Sequence, residues 1–343
     1  MDIVQIEQKT IWDLFLLKHA PHVLFQSWEW GEVERRTRKK IWRVGISKIS
    51  NNKFLISNYK QKVDDLLGIS QVVKVVAKRG TFLHVRHGPV MSVYNIKHFT
   101  IWLDWIKALA KTEKASFIRI SPLIDQTHAP FFFSLGFRSA PIHSMDAELV
   151  LVVDLSQSEE EILRKMRKTT RNLIRRAERD GVTVTKSADI NRFIKLYEQT
   201  ASRHGFVQHQ AIREEFAVFS KSGMADLLFS HYHQDLLAGG IFLYYGNYAI
   251  YHHGASIPSK IPAAYLLQWE AIRAAKRRGI RYYNFWGIAD TDRTNHPWWG
   301  LTQFKAGFGG NKQHYIHAMD LPIGLPYWIV CVVESIRKLV RGY

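Results

Sequence analysis

Residues 248–286 read YAIYHHGASIPSKIPAAYLLQWEAIRAAKRRGIRYYNFW. Tyr248 opens a β-rich run that reaches His253-Gly254. Apolar residues then recur at helical spacing over 263–277, Gly279 is a natural stop, and 280–286 turns β-rich again. Two further β-rich runs precede this stretch, at 226–232 and 240–245. The same order occurs earlier in the chain. β-Branched runs at 71–76 and 81–85 bracket Lys78-Arg79-Gly80 and lead to His87-Gly88. A helical segment over 99–111 follows, with Ile101, Trp102, Trp105, Ile106 and Leu109 on one face, and an apolar strand at 117–121 ends at Pro122. Each half then carries a Gly-Phe pair, Gly136-Phe137 and Gly307-Phe308. The repetition predicts a duplicated α/β domain with its junction near 142–148.

The flanking segments fit around this frame. Residues 3–19 have mixed helical spacing, 42–49 and 53–59 are expected strands, and Ser27 can cap a helix whose first turns hold Glu29 and Glu32. The chain has 343 residues, 46% of them hydrophobic, which excludes wholesale disorder and suits two domains. Its net charge of +18 points to polyanionic partners: nucleic acid, an anionic membrane surface or a phosphorylated substrate. A single cysteine, Cys331, excludes an internal disulfide framework or thiolate metal cage. The first residues lack the apolar core of a secretory signal, so a cytoplasmic protein is expected. The longest apolar stretch, 325–333, is too short to span a bilayer. It reads as a core helix with a basic tail of Arg337, Lys338 and Arg341, or as a membrane-surface contact.

The charge is concentrated. Residues 156–181 are expected to form one helix, opened by a Ser156/Glu159 capping box and stopped by Gly181. Ile162, Leu163, Met166, Leu173, Ile174 and Ala177 make its buried stripe. The other faces carry Arg164, Lys165, Arg167, Lys168, Arg171, Arg175, Arg176 and Arg179. Like charges at helical spacing repel, so a phosphate backbone is the sharper reading and a solvated face the plainer one. A second cluster, Arg35, Arg36, Arg38, Lys39, Lys40 and Arg43, follows Trp28 and Trp30 and fits phosphate binding or snorkelling over a core edge. A third, Arg273, Lys276, Arg277, Arg278 and Arg281, suits the negative end of a helix dipole and reads as structural.

Several chemistries find no motif. There is no phosphate loop, no dinucleotide fingerprint, no nucleophile elbow and no HExxH or Cys-His metal spacing. His231 and His233 share a strand face and His252-His253 are adjacent, but a zinc pair needs a third ligand, so no metal is expected. A duplicated α/β domain is similar to acetyltransferases that hold coenzyme A on a [QR]xxGx[GA] loop, and no segment matches that loop. The most distinctive stretch is 282–310, YYNFWGIAD followed by WWGLTQFKAGFGG. Its glycines allow tight turns and close approach to a ligand. Lys305 lies among them between Phe304 and Phe308, where desolvation would make its charge act strongly on a developing oxyanion. An ordinary surface lysine is the alternative.

The motifs that carry a family likeness are Gln26-Ser27-Trp28-Glu29-Trp30-Gly31, His87-Gly88-Pro89-Val90, residues 154–182, Ser202-Arg203-His204-Gly205-Phe206, Ala238-Gly239-Gly240, Phe285-Trp286-Gly287 and residues 300–310. With them the chain resembles the FemAB-type peptidoglycan interpeptide bridge aminoacyltransferases over nearly its whole length. The resemblance implies an α/β (α+β) chain of two tandem GNAT-like acetyltransferase-type domains that use no coenzyme A. Residues 1–145 plus 319–343 would form the precursor-binding side, and 146–318 the aminoacyl-tRNA side. It also implies the compact type, without a long helical hairpin for tRNA.

The implied reaction is tRNA-dependent: an amine on a precursor's stem peptide attacks the ester carbonyl of an aminoacyl-tRNA. Lys305 matches the lysine that stabilises the oxyanion, and no residue is a firm general base. Arg203, with Arg35 or Arg36, matches residues that hold the precursor's phosphates. Tyr251 and His253 match the peptide channel, and Trp286 and Phe304 complete the substrate-binding set. The tRNA face would be Arg164, Lys168, Arg171, Arg175, Arg176 and Arg179. After Val90 the family commonly has an acidic residue, whereas this chain reads Met91-Ser92-Val93-Tyr94, which bears on peptide selection. The implied partners are aminoacyl-tRNA as co-substrate, a UDP- or lipid-linked precursor, and an anionic membrane touched from its inner face. The protein would act as a monomer with no cofactor. The competing readings are an acyltransferase on the same fold using acyl-CoA or an acyl carrier, and a non-enzymatic module that binds nucleic acid or membrane.

Overall fold

The computed structural model describes residues 1–56, 58–78, 80–142, 148–290 and 293–340. Most of the expected domain junction (residues 143–147), Arg79 and Arg341 lie outside the described residues. The chain divides into two compact units, Met1–Glu148 with His314–Tyr343, and Leu149–Gln313. The first unit thus takes the chain back at His314, a few residues earlier than Met319. Here Tyr315 N–H donates to Glu148 O and Ile316 N–H to Ile124 O, which ties the returning segment to its own unit.

The first unit contains β1 (Asp2–Gln5), α1 (Lys9–His19), α2 (Trp28–Arg36), β2 (Ile41–Ser47), α3 (Asn51–Ile56), α4 (Tyr59–Asp65), β3 (Leu66–Ala77), β4 (Gly80–Arg86), β5 (Val90–Met91), α5 (Ile96–Thr112), β6 (Phe117–Ser121), α6 (Ala129–Ser134) and β7 (Arg138–Ser139). The second contains β8 (Leu149–Asp154), α7 (Glu159–Lys165), α8 (Lys168–Arg179), β9 (Val182–Ser187), α9 (Ile190–His204), α10 (Ile212–Lys221), β10 (Ala225–Tyr232), β11 (Asp235–Tyr245), β12 (Tyr248–Ser256), α11 (Ala263–Arg277), β13 (Tyr282–Gly287), α12 (Trp299–Ala306) and β14 (Asn311–His314). The returning segment adds β15 (Met319–Pro322) and α13 (Pro326–Val340) to the first unit.

The duplication is visible in the two sheets. One runs β1-β2-β3-β4-β6-β15-β7, and the other, taken from the same end, β9-β10-β11-β12-β13-β8-β14. In each, an antiparallel meander leads to one parallel pair, β4/β6 and β12/β13. Each parallel pair brackets one long helix, α5 or α11, because parallel neighbours require a crossover. The repeat differs at the His-Gly pair. His87 follows β4 with a positive φ of 54°, whereas His253-Gly254 lie inside β12.

Both crosslinking layers are apolar. In the first unit Phe99, Trp102 and Ile106 of α5 pack on Leu83, Val85, Ile118 and Ile120. In the second, α8 and α11 cover one face with Ile174, Ala177, Leu267 and Ile272 against Phe242, Tyr283 and Phe285. The other face carries α9 and α10, which contact β10, β11 and β12.

Four local expectations change. Residues 2–5 form an edge strand paired with β2 rather than part of a helix. Of the expected strand at 53–59, residues 53–56 belong to α3, Ser57 lies outside the described residues, and Tyr59 begins α4. Asn58 Oδ1 accepts the Gln61 N–H at 2.9 Å and starts α4, so the apolar Phe54-Leu55-Ile56 run is helical and not a strand. The basic helix is broken into α7 and α8, and its capping box is Ser158 with Glu161, two residues later than the expected Ser156 with Glu159. At the break Met166 is extended, and the N–H of Arg167, which precedes α8, donates to Gly307 O at 2.9 Å instead of continuing the helix. Finally, α13 is not a core helix. Tyr327 and Val330 face the unit, while Trp328, Ile329, Val332, Ile336 and Leu339 are exposed.

Candidate active site

The parallel pair of the second unit opens where the chemistry-bearing residues lie. Its register runs Tyr248–Tyr282, Ala249–Tyr283 and Ile250–Asn284. Among the described residues the two strands are not paired beyond that point, although β12 continues to Ser256 and β13 to Gly287. Each strand also carries an irregularity there. In β12 the register jumps from Tyr251 to His253, so His252 is the extra residue. In β13 the register against β8 jumps from Asn284 to Gly287. Bulges of this kind re-aim side chains and release backbone groups from the ladder. Trp286 sits in the second bulge at φ 66°, a left-handed conformation rare for a bulky residue, with its N–H donating to Asn284 Oδ1 at 2.7 Å.

Gly287, where that bulge ends, receives Lys305. Lys305 Nζ donates to Gly287 O at 2.7 Å, and among the described residues no carboxylate pairs with it. The residue is 5% exposed, and burial pushes its ammonium down from 10.5 to about 7. The surface-lysine alternative is therefore wrong: α12 turns Lys305 inward, and Thr302 Oγ1 on the same helix accepts the Ala289 N–H at 2.9 Å. Phe304, next to it, packs edge-on against Tyr265 at 5.0 Å and joins the α8/α11 side of the core.

The glycines after Lys305 serve the fold rather than a ligand. Gly309 has φ 78° and a Cβ there would lie 2.9 Å from Lys165 O; Gly310 has φ 98° and its Cβ would meet Val152 O at 2.6 Å. Their close approach is to α7 and β8 of the same unit, and Gly307 likewise packs on Thr170.

Tyr251 and His253 do not share a wall. Tyr251 stacks on Phe242 at 5.5 Å, on the α8/α11 face, and burial raises its hydroxyl to about 12. A side chain at Gly254 would overlap that hydroxyl. The bulge turns His252 and His253 to the other face, toward α9 and α10. There both reach Glu215 Oε2, at 3.1 and 2.7 Å. Burial alone would raise the Glu215 carboxyl, but the two imidazoles outweigh it and hold the group well below the usual range. Burial lowers His253, which favours the neutral imidazole. His209, on the segment between α9 and α10, brings Nδ1 to 3.4 Å from Glu215 Oε1. Nothing in the spacing of His209 and Glu215 marked them, because neither lies near His253 in sequence. Trp286 lies edge-on to His252 at 5.9 Å, between the two groups.

The basic residues divide by environment. Arg164, Lys168, Arg175 and Arg179 are exposed on α7 and α8. Arg171 is half-buried and donates to Arg164 O and Met166 O, closing the end of α7, so its first role is structural. Arg176 pairs with Asp180 and reaches Lys260 O. The third cluster is held internally, with Arg273 on Glu270, Lys276 on Leu155 O and Gln157 O, and Arg278 on Asp226. Arg203 is exposed at the end of α9, against His204. In the first unit Arg36 is exposed, and Arg35 lines a cavity of about 540 Å³ with Trp28, Trp42 and Trp105. Arg43, from the same cluster, is buried under Trp28 at 3.6 Å and bonded to Glu32, and burial lowers it to about 10.

Known proteins bear on this arrangement. A sequence model described as the FemAB family matches residues 136–212 and 220–334, together more than half of the chain. A lipid II:glycine glycyltransferase of Staphylococcus aureus is 22% identical over 209 residues, covering 57% of this chain. That alignment spans 46% of the relative, so the chain matches about half the length of this curated relative. Among solved structures, FemX superposes with a TM-score of 0.79 at 18% identity, covering 97% of this chain and 100% of that one. A tandem GNAT protein from the clavulanic acid pathway superposes at 0.54 with 11% identity, covering 94% and 99%. These likenesses establish the fold: two GNAT-like units in tandem.

Proposed function

The chain belongs to the FemAB family, and from that membership we propose that it transfers an aminoacyl group from aminoacyl-tRNA to the stem peptide of a peptidoglycan precursor. The observation that carries the reading is Lys305, an acid-free buried lysine beside the opening between β12 and β13. The precursor amine attacks the ester carbonyl and forms the new C–N bond. The carbonyl oxygen becomes an oxyanion, and the Lys305 ammonium stabilises it in a site of low dielectric. Collapse breaks the C–O bond to the ribose; the proton lost by the amine ends on the ribose oxygen. Lys305 supplies the charge, and Gly287 O fixes the direction of its Nζ.

Arg35, Arg36 and Arg203 are proposed to hold the precursor's phosphates, supported by their exposure and by the aromatic cavity beside Arg35. Trp286, Phe304 and Tyr251 are proposed to contact the acyl and peptide groups. His253 is proposed to act on the α9/α10 face, apart from Tyr251. The exposed faces of α7 and α8 are proposed to meet tRNA through Arg164, Lys168, Arg175, Arg176 and Arg179, with Arg171 bracing them. The exposed apolar face of α13 favours a lipid-linked acceptor presented at an anionic bilayer.

The test is direct. Incubation with a pool of charged tRNAs and with lipid- and nucleotide-linked precursors is expected to give product masses increased by one amino acid. Turnover and thermal stabilisation with acetyl-CoA, and none with aminoacyl-tRNA, would assign the fold to the coenzyme-dependent alternative instead.

A further inference from the structure

Three imidazoles surround one buried carboxylate in the second unit, on the side of the sheet away from the core that holds Tyr251. Glu215 is 1% exposed, and its Oε2 takes both His252 Nε2 and His253 Nε2. Its Oε1 accepts no hydrogen bond, and His209 Nδ1 faces it at 3.4 Å. Two rings serve Oε2, while Oε1 keeps an unmet acceptor beside the His209 ring nitrogen. A buried carboxylate with an unmet oxygen among imidazole nitrogens is the donor set of a cation.

We propose that His209, Glu215 and His253 bind a divalent transition-metal ion of the zinc class. One ligand atom from each lies within 4.8 Å of the other two. Ligands about 2.0–2.2 Å from a tetrahedral ion stand roughly 3.3–3.6 Å apart. The His209–Glu215 separation of 3.4 Å already meets this. The His253–Glu215 pair, hydrogen-bonded at 2.7 Å, needs to open by less than about 1 Å to admit the ion. The Ala211 N–H donates to His209 Nδ1 at 3.4 Å, which marks that nitrogen as unprotonated; the ion would displace this long bond. His252, 3.1 Å from the same carboxylate oxygen, orients that carboxylate.

The three ligands come from three places: the α9–α10 connection, α10 and the β12 bulge. A shared ion would pin the connection, with Arg203 at its start, onto the sheet. This is a structural site, since none of its ligands touches Lys305; of the residues assigned to the acyl-transfer reading it shares only His253.

The experiment titrates Zn2+ into the full-length chain after chelator treatment, and follows stoichiometry, affinity and melting temperature. One ion per chain is expected, with a rise in melting temperature. His209→Ala is the decisive variant, because His209 is exposed and its loss leaves the fold intact. It should keep the metal-free melting temperature while weakening Zn2+ affinity by about tenfold or more. Glu215→Gln should abolish stoichiometric binding. Binding of less than one ion per chain by the unmodified protein, or undiminished affinity in His209→Ala, would overturn the proposal.

Discussion

Lys305 holds its amino group in a place where burial works against the charge it carries. Burial pushes the ammonium down to about 7, which brings its titration close to neutral pH. If Lys305 acts as the cation, kcat/KM should fall as pH rises through about 7, since the protonated form is lost there. An ascending limb at the same pH would make the lysine a general base instead. Lys305→Met should abolish amide formation while leaving aminoacyl-tRNA affinity within about threefold, because the charge acts on the transition state; retained turnover would remove Lys305 from the mechanism. The same substitution should stabilise the fold. The folded value lies below the ordinary 10.5, so the penalty of burying the charge is complete below about 7 and fades as pH rises toward 10.5. The gain should be about 2–4 kcal/mol near neutral pH and shrink in alkaline buffer, as read from denaturant midpoints at two pH values. A destabilised Lys305→Met would mean that the bond to Gly287 O outweighs the desolvation.

The elements carry the electrostatic and membrane predictions. The basic helix is legible in sequence as a charge pattern, but its break at Met166–Arg167 is not, because the Arg167 N–H there bonds to Gly307 O, distant in the chain. The break also sorts its cations. Arg171 is committed to the α7 carbonyls, so reversing it would damage the fold. Lys168→Glu, Arg175→Glu and Arg179→Glu together are the cleaner test. They should weaken tRNA binding and lower the slope of log K against log salt by about 2–3, and an unchanged slope would return the helix to a solvated face. On α13 the apolar face is continuous at helical spacing through Trp328, Ile329, Val332, Ile336 and Leu339, with Arg337 and Lys338 in the last turn. The sequence left a core helix and a membrane-surface contact both open here, because burial depends on which neighbours exist. Ile329→Asp with Val332→Asp should reduce sedimentation with anionic vesicles by about tenfold and leave that with neutral vesicles low. Equal binding of the variant and the parent would exclude this face as the contact.

The whole molecule repeats one sheet plan twice, but the two units complete it differently. The second supplies its sixth strand from its own start, β8. The first takes its sixth strand, β15, from the end of the chain, inserted between β6 and β7. Arg119 holds that insertion with two bonds to Asp320, at 2.7 and 2.8 Å, and a third to Glu334 of α13 at 2.8 Å. Asp320 is fully buried, so Asp320→Ala would leave the guanidinium with Glu334 alone and should destabilise the first unit by about 3 kcal/mol. Urea unfolding followed by proteolysis of each unit should show the first opening earlier, and coincident loss of both would contradict a local effect.

Local and periodic features were open to reading without coordinates. The helix and strand runs, the doubled order around α5 and α11, the Ser27 cap and the aromatic, glycine-rich setting of Lys305 all rest on spacing of neighbours along the chain. Three things rest on contacts between distant segments. One is the inward turn of Lys305 toward Gly287, set by a bulge whose register depends on β8. Another is the division of Tyr251 from His253, set by the extra residue in β12. The third is the meeting of His209, Glu215 and His253, whose only common feature is the space they share. Propensity and periodicity act over a few residues, whereas burial and side-chain direction depend on which remote surface a strand or helix is pressed against.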